Sequence, residues 1–293
     1  NVYHNSELII MDDGLRGVNR VDLIGQGRYS NTYYDSTENK SEEILKTAFH
    51  TLLAQNYDTL GYVAGRDSMF MWFDNRARNG QGATQNTIES VYTGALAVGY
   101  IDRTDCQNTF GFNTEHTFPQ SFFSSLEPMR SDLHHLYPTD DLSNNQRGNN
   151  PFAVIASNII WSDGGSKSNG TSFEPRDLQK GRASRSLLYF VLRYQDYANF
   201  VQPQEPLLRQ WHGGFPPDAV EEKRNSDIFS IQNNRNPFVD YPQFIERIHS
   251  VTGLSVEPLI PSLDFPEDTI VFGYVNAGNS ATFEYVVVNN GNQ

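Results

Sequence analysis

The sequence predicts an α+β chain of mixed helices and short strands, and three observations carry that prediction. Apolar residues recur at helical spacing in two stretches, 41–53 and 176–194. Two short runs between them are aromatic and β-branched in the manner of strands. Aromatic residues make up 13% of the 293 residues, which argues for a buried core. The single cysteine, Cys106, excludes an intrachain disulfide and any cysteine-paired zinc site, so stability rests on that core. With 22 Lys and Arg against 35 Asp and Glu, the net charge of −13 argues against a broad polyanion-binding surface but allows a local basic patch. No apolar run approaches the roughly 18 residues of a membrane span. Residues 1–11 lack a basic stretch and hold only Leu8-Ile9-Ile10-Met11 as an apolar core, unlike a signal peptide.

Residues 1–40 are polar, with tyrosines at 29, 33 and 34, and Gly25-Gln26-Gly27 reads as a loop. Ser41-Glu42-Glu43 opens the first helix, because a hydroxyl cap and first-turn acids suit the positive end of the helix dipole. Ile44, Leu45, Ala48, Phe49, Leu52 and Leu53 then form one apolar stripe. His50 beside it has no second metal-binding residue nearby and reads as structural. Met69–Phe73 and Ser90–Gly94 read as short strands around an Asn- and Gly-rich loop, 75–87. Five of the 22 basic residues fall in positions 176–193, facing only Asp177. With Ala183, Leu187, Val191 and Tyr194 at helical spacing, this is a helix with an apolar face and a basic start. That start is either a solvated face or a surface that tracks phosphates.

The proline-containing stretch 203–217, with Trp211-His212-Gly213-Gly214, reads as a loop. After Arg247 there is no Lys or Arg for 46 residues while five acids remain, and Pro258, Pro261 and Pro266 follow. This shift marks a boundary near 255–262 and divides the chain into 1–255 and a β tail, 256–293. The tail is expected to hold strands at Asp268–Val275 and Thr282–Val288. Two strands do not stand alone in water, so the tail either packs on the main body or opens a larger β module.

The chemistry concentrates in 111–152, which gathers Glu115, His116, Arg130, Asp132, His134, His135, Asp140, Asp141, Asn144, Asn145, Arg147 and Asn149 without a cysteine. Oxygen donors beside one imidazole suit a hard divalent cation such as Mg²⁺, which keeps waters and needs one or two protein ligands. A histidine near that ion has the pKa range to deprotonate water. Zinc is the less fitting alternative: no HExxH occurs, and adjacent His134 and His135 cannot both point to one face of a strand.

The same segment resembles the endonuclease I family of ββα-metal, or His-Me finger, nucleases. The resemblance rests on Asn113-Thr114-Glu115-His116-Thr117-Phe118-Pro119, on Ser131-Asp132-Leu133-His134-His135-Leu136-Tyr137-Pro138, and on Asn144-Asn145-Gln146-Arg147-Gly148-Asn149. It extends to Tyr33-Tyr34-Asp35, Val91-Tyr92-Thr93-Gly94, Phe173-Glu174-Pro175-Arg176-Asp177 and Gln232-Asn233-Asn234-Arg235-Asn236-Pro237-Phe238, and so covers about 30–250. The resemblance implies a mixed helical and short-strand nuclease domain built around the finger, with His116 as general base and Glu115 and Asn144 as holders of Mg²⁺, for which Mn²⁺ or Ca²⁺ can substitute. Asn145 and Asn149 are the neighbouring alternatives to Asn144. Arg147 would contact phosphate, with Arg130 a weaker candidate, and Lys180, Arg182 and Arg185 become a substrate-binding surface. His134 and His135 read as supports of the finger, Asp132 as orienting a neighbour, and Asp140 and Asp141 as solvated.

The implied function is metal-dependent, non-specific hydrolysis of phosphodiester bonds in DNA, RNA or both, leaving 5′-phosphate ends, by a secreted or envelope-associated bacterial protein that needs no obligate protein partner. Phosphate rather than base contacts fit low sequence preference. Unlike some relatives the chain has no disulfides, and its acidity predicts weak, salt-sensitive binding outside the active site. The tail resembles the opening strands of an Ig-like β-sandwich. The competing reading is a catalytically inactive nucleic-acid-binding or adhesion protein on the same fold, against which the intact Glu115, His116 and Asn144 stand.

Overall fold

The computed structural model describes residues 32–38 and 40–255, together with the backbone of four strand segments, 8–10, 19–21, 263–264 and 288–289. The Gly25–Gly27 loop, Tyr29, the boundary near 255–262 and nearly all of the expected β tail, its Ig-like character included, lie outside the described residues. Contacts group the chain into two units, 1–40 and 41–293. In the first, β1 (Leu8–Ile10) pairs antiparallel with β2 (Asn19–Val21). A 3-10 turn, Thr32–Thr37, is closed by the Thr37 hydroxyl donating to the Tyr34 carbonyl at 2.7 Å.

The second unit begins with α1 (Glu42–Ala54), which buries Leu45, Phe49, Leu52 and Leu53 as the periodicity predicts, while Ile44 stays 57% exposed. His50 is structural: its Nδ1 lies 2.9 Å from the Arg193 carbonyl. Then α2 (Tyr62–Ser68) runs on into a wider helical turn over Met69–Phe73, the run expected to be a strand. Met69, Phe70 and Phe73 are buried, the spacing of a helix face. β3 (Thr87–Glu89) pairs antiparallel with β4 (Leu96–Val98), so the strand expected at Ser90–Gly94 is instead the turn of that hairpin.

Next comes α3 (Arg103–Phe110), capped by the Asp102 carboxylate accepting from the Asp105 amide at 2.8 Å. β5 (Phe112–His116) pairs antiparallel with β6 (Leu136–Asp140), in register from Phe112 opposite Asp140 to His116 opposite Leu136. α4 (Asp141–Arg147) follows β6 without a linker, so 112–147 forms a β-β-α unit. β7 (Trp161–Asp163), β8 (Ser166–Ser168) and β9 (Phe173–Glu174) make an antiparallel meander.

The central element is α5 (Asp177–Arg193), the predicted helix, buried on nearly every side. α1 and α7 (Glu205–Gly214) pack on it, after the short α6 (Ala198–Val201). Gly181 permits a close approach there: a Cβ would run into the Phe215 carbonyl. α7 occupies the stretch expected to be a loop. Its proline, Pro206, sits in the first turn, where the missing N–H has no helical partner anyway, and Gly213-Gly214 fall at the other end. α8 (Ala219–Gln232) and α9 (Pro237–Asp240) follow, and β10 (Leu263–Asp264) pairs with β11 (Val288–Asn289).

One core lies against the β-β-α unit and holds Met69, Phe70, Phe73, Cys106, Phe112, Leu133, Leu136 and Ile228. A second is aromatic: Phe118 stacks on Phe190 of α5 at 4.1 Å between ring centroids, and Phe123 lies against both. The hairpin that carries Glu115 and His116 is therefore held from two directions. This fixes the two side chains as well as the backbone.

Candidate active site

Glu115 and His116 are the last two residues of β5, Glu115 lying against Tyr92 and Arg147 and His116 against Tyr62 and the Arg130 carbonyl. His116 is 7% exposed, and its Nε2 lies 3.1 Å from the backbone carbonyl of Arg130. A carbonyl only accepts, so Nε2 carries the ring proton and Nδ1 keeps its lone pair. Among the described residues Nδ1 has no partner, and it is not sealed from solvent. Burial pushes the His116 pKa down to about 3, and the neighbouring His135, Arg130 and Arg66 act in the same direction, so the ring is neutral at physiological pH. The site thus presents a neutral imidazole whose free nitrogen can take a proton.

Beside this ring lies a basic pair. Tyr62, at the start of α2, has its ring 5.5 Å from that of His116. The Arg66 guanidinium sits over the Tyr62 ring at 3.9 Å, and Arg130 sits over the same ring at 4.1 Å. Neither arginine pairs with a carboxylate among the described residues, and Arg130 Nε has no hydrogen-bond partner. Burial and the positive charges of Arg103 and Arg130 lower the Arg66 pKa, the response of a cation held among cations.

Glu115 is 2% exposed. Its Oε1 accepts from the Tyr92 hydroxyl at 2.6 Å and lies 3.4 Å from Arg147 Nε, whose N–H is not aligned on it. Burial raises the Glu115 pKa, while the Arg147 charge and the Tyr92 hydrogen bond oppose that rise. Oε2 has no partner among the described residues. Asn144 stands one turn before Arg147 on α4, and its half-buried side-chain amide has no partner among the described residues either. Residues three apart on a helix share a face, so Asn144 stands on the same face of α4 as Arg147, whose Nε approaches Glu115. One free carboxylate oxygen and one free amide oxygen fit a hard divalent cation that completes its shell with water and substrate. No group of three or more His, Cys, Asp or Glu that could hold a metal occurs among the described residues.

The other expected residues take different places. Arg147 has no exposed surface: Nη1 donates to the carbonyls of Gly148 and Asn150, and Nη2 to that of Thr117. It braces Glu115 and the end of α4 instead of facing a phosphate. The basic start of α5 is not an open cationic surface. Lys180 pairs with Glu174 at 2.9 Å and Asp177 at 2.8 Å, and Arg182 pairs with Asp218 at 2.8 Å. Arg185 is buried in a two-pronged pair with Glu221, at 2.7 and 2.5 Å. Acids both near in sequence (Glu174, Asp177) and 36 positions away (Asp218, Glu221) neutralise that face.

His134 and His135 are supports: their Nε2 atoms lie 3.1 Å from the Asn234 carbonyl and 2.7 Å from the Met129 carbonyl. Asp132 is wholly buried and orients its neighbours as expected. Asp140 is half-buried and caps α4, with Oδ1 accepting from the Ser143 amide at 2.8 Å; Asp141 is exposed and accepts from Asn113 at 3.0 Å. The residues missed in the sequence are Tyr62 and Arg66. Their signal was faint: an i, i+4 Tyr–Arg pair at the start of a short helix.

The sequence profile of the family described as Endonuclease I matches residues 41–243. An extracellular ribonuclease of Bacillus subtilis is 27% identical over 237 residues, covering 75% of this chain and 78% of that protein. An extracellular ribonuclease of Bacillus amyloliquefaciens is 28% identical over 238 residues, covering 74% and 78%. An extracellular deoxyribonuclease of Aeromonas hydrophila is 26% identical over 129 residues, covering 38% and 50%. The family match spans more than half of the chain and includes the whole β-β-α unit, so this protein belongs to the endonuclease I family. It is a nuclease, a hydrolase of phosphodiester bonds in nucleic acid.

Proposed function

We propose that this protein is a metal-dependent, non-specific endonuclease that acts outside the cell and leaves 5′-phosphate and 3′-hydroxyl ends. The observation that carries the reading is the fixed tautomer of His116, which leaves Nδ1 free, on a ring that packs against the same Tyr62 ring that carries Arg66 and Arg130. In this reading Nδ1 takes a proton from the attacking water while Arg66 and Arg130 hold the non-bridging oxygens of the scissile phosphate. The new bond joins the water oxygen to phosphorus, the bond to the 3′ oxygen breaks, and that oxygen takes a proton from solvent to become the 3′ hydroxyl. Glu115 Oε2 and the Asn144 side chain would hold Mg²⁺, with Mn²⁺ or Ca²⁺ as substitutes. When bound, such an ion stabilises the negative charge that builds on the phosphoryl and leaving oxygens. Phosphate-only contacts support low sequence preference.

The two relatives that match about three quarters of this chain are named ribonucleases, which makes RNA the first substrate to test, with DNA beside it. All three relatives described above carry extracellular in their names, which supports secretion. The testing experiment is cleavage of RNA and plasmid DNA by purified protein with EDTA, with Mg²⁺ restored, and with Glu115→Ala. The expected result is EDTA-sensitive cleavage, restored by Mg²⁺ and absent in the variant. No cleavage of either polymer with any divalent ion would favour the inactive-binder reading. The basic residues also separate. Arg66→Ala or Arg130→Ala should lower kcat/KM about tenfold or more, the scale of losing a hydrogen bond to a charged group. Arg182→Ala, which removes only an ion pair at the protein surface, should stay within about twofold. Equal losses at Arg182 and Arg66 would return the binding surface to α5.

A further inference from the structure

The segment Ser90–Gly94 makes no contribution to the chemistry described above, yet it touches both arms of the candidate metal site. Tyr92 is fully buried, and its hydroxyl donates to Glu115 Oε1 at 2.6 Å. One residue on, the Thr93 hydroxyl donates to Asp140 Oδ2 at 2.7 Å, and the Ser90 hydroxyl donates to the same oxygen at 2.8 Å. Asp140 is the cap of α4, the helix that carries Asn144. Its Oδ2 also accepts from the Ser143 hydroxyl at 2.7 Å.

The turn itself is rigid. It is closed by the Gly94 amide donating to the Ser90 carbonyl at 2.9 Å and tied to β6 by the Val91 amide donating to the Pro138 carbonyl at 3.0 Å. The Tyr92 carbonyl accepts from the Ser166 hydroxyl at 2.7 Å. Gly94 has a φ of +78°, and a Cβ there would meet the Arg176 guanidinium, which donates from Nε to the Val91 carbonyl at 2.9 Å. Arg147 completes the arrangement from the far side: its Nε is buried, has no hydrogen-bond partner and lies 3.4 Å from Glu115 Oε1.

We propose that the Ser90–Gly94 turn is a positioning device for the metal site, with Tyr92 and Arg147 occupying Glu115 Oε1 so that only Oε2 faces the ion, and Ser90 and Thr93 fixing the helix that presents Asn144. The inference rests on the reading of Glu115 and Asn144 as metal ligands. A carboxylate held by one oxygen cannot rotate away or bind through both, and a helix capped from the same turn cannot drift from it. Partners that orient ligands in this way commonly change metal affinity by about 10- to 100-fold when removed.

The test is titration of the full chain with Mn²⁺ and Mg²⁺ by calorimetry, for the wild type and for Glu115→Ala, Tyr92→Phe and Thr93→Val. The Mg²⁺ dependence of cleavage and the melting temperature without metal are measured alongside. Tyr92→Phe should weaken metal binding by about tenfold or more and shift the Mg²⁺ midpoint of cleavage by the same factor. Its kcat at saturating Mg²⁺ should stay close to that of the wild type. Thr93→Val should shift both in the same direction by a smaller factor. A merely structural role would lower the melting temperature and leave the midpoint where it was, a result that overturns the proposal. Glu115-dependent binding that both turn variants leave unchanged overturns the positioning role alone. Equal binding by wild type and Glu115→Ala removes the metal site and the proposal with it.

Discussion

His116→Ala is expected to lower the cleavage rate by about 10²- to 10⁴-fold, the range that a positioned general base contributes. The loss should fall mainly on kcat, because the guanidiniums expected to hold phosphate, Arg66 and Arg130, sit on the Tyr62 ring, and the imidazole touches Arg130 only at its backbone carbonyl. Affinity for a non-cleavable nucleic acid should therefore change by only a few fold. Metal affinity should also survive, since Glu115 and Asn144 are held by Tyr92, Arg147 and the α4 cap. The rate is measured on RNA and plasmid DNA at saturating Mg²⁺, and binding by fluorescence anisotropy. A variant that cleaves at the wild-type rate would remove His116 from the chemistry, and equal losses in binding and rate would make it a structural residue.

The finger was legible in the sequence because its chemistry is local. Glu115, His116, Asn144 and Arg147 lie within 33 positions of one another, and a hairpin plus one helix suffices to assemble them. The helices α1 and α5 were equally plain, because an amphipathic period repeats over their whole length. Met69–Phe73 misled for the converse reason: five consecutive apolar residues carry no period, and a buried helical turn then reads like a strand. The proline stretch before Trp211 misled because proline weakens a helix only in its interior, and Pro206 stands in the first turn of α7.

The charges of the site were less legible. The basic start of α5 looked like a binding surface because its acidic partners, Asp218 and Glu221, lie 36 positions from Arg182 and Arg185. Arg147 looked like a phosphate ligand because helix position says nothing about burial. The net charge of −13 held a hint: in a chain with more acids than bases, most cations find an internal partner. The informative cations are those left unpaired beside the base, Arg66 and Arg130, and only the fold brings these together across 64 positions.

Asp132→Ala is expected to destabilise the protein by about 3–5 kcal/mol, the usual cost of breaking a buried ion pair from one side. The carboxylate accepts from the His134 amide and Gln232 on Oδ1 and from Tyr189, Arg193 and Tyr194 on Oδ2. It thereby ties the loop before β6 to the ends of α5 and α8. Removing it strands Arg193, which is 4% exposed and lies over the Tyr57 ring at 3.6 Å, so water cannot replace the lost partner. At roughly 2–4 °C per kcal/mol for a chain of this size, the melting temperature should fall by about 6–20 °C. Asp132→Asn, which keeps the shape and loses the charge, should fall between. A loss below about 1 kcal/mol by urea unfolding would show that the five donors are satisfied elsewhere. Acid titration tells this carboxylate from its neighbour. Burial lowers the His134 pKa from 6.5 to about 4, so the unfolded chain takes up that proton first, and stability present above pH 6.5 drains away as pH falls toward 4. Burial alone would raise the Asp132 pKa, but Arg193 and the two histidines hold it below 3.8, so its stabilisation is present above that value and lost only beneath it. The Asn variant should therefore keep the slope between pH 6.5 and 4 and show a shallower one below 3.8, where Asp140 and Asp218, also held low, still contribute but Asp132 no longer does.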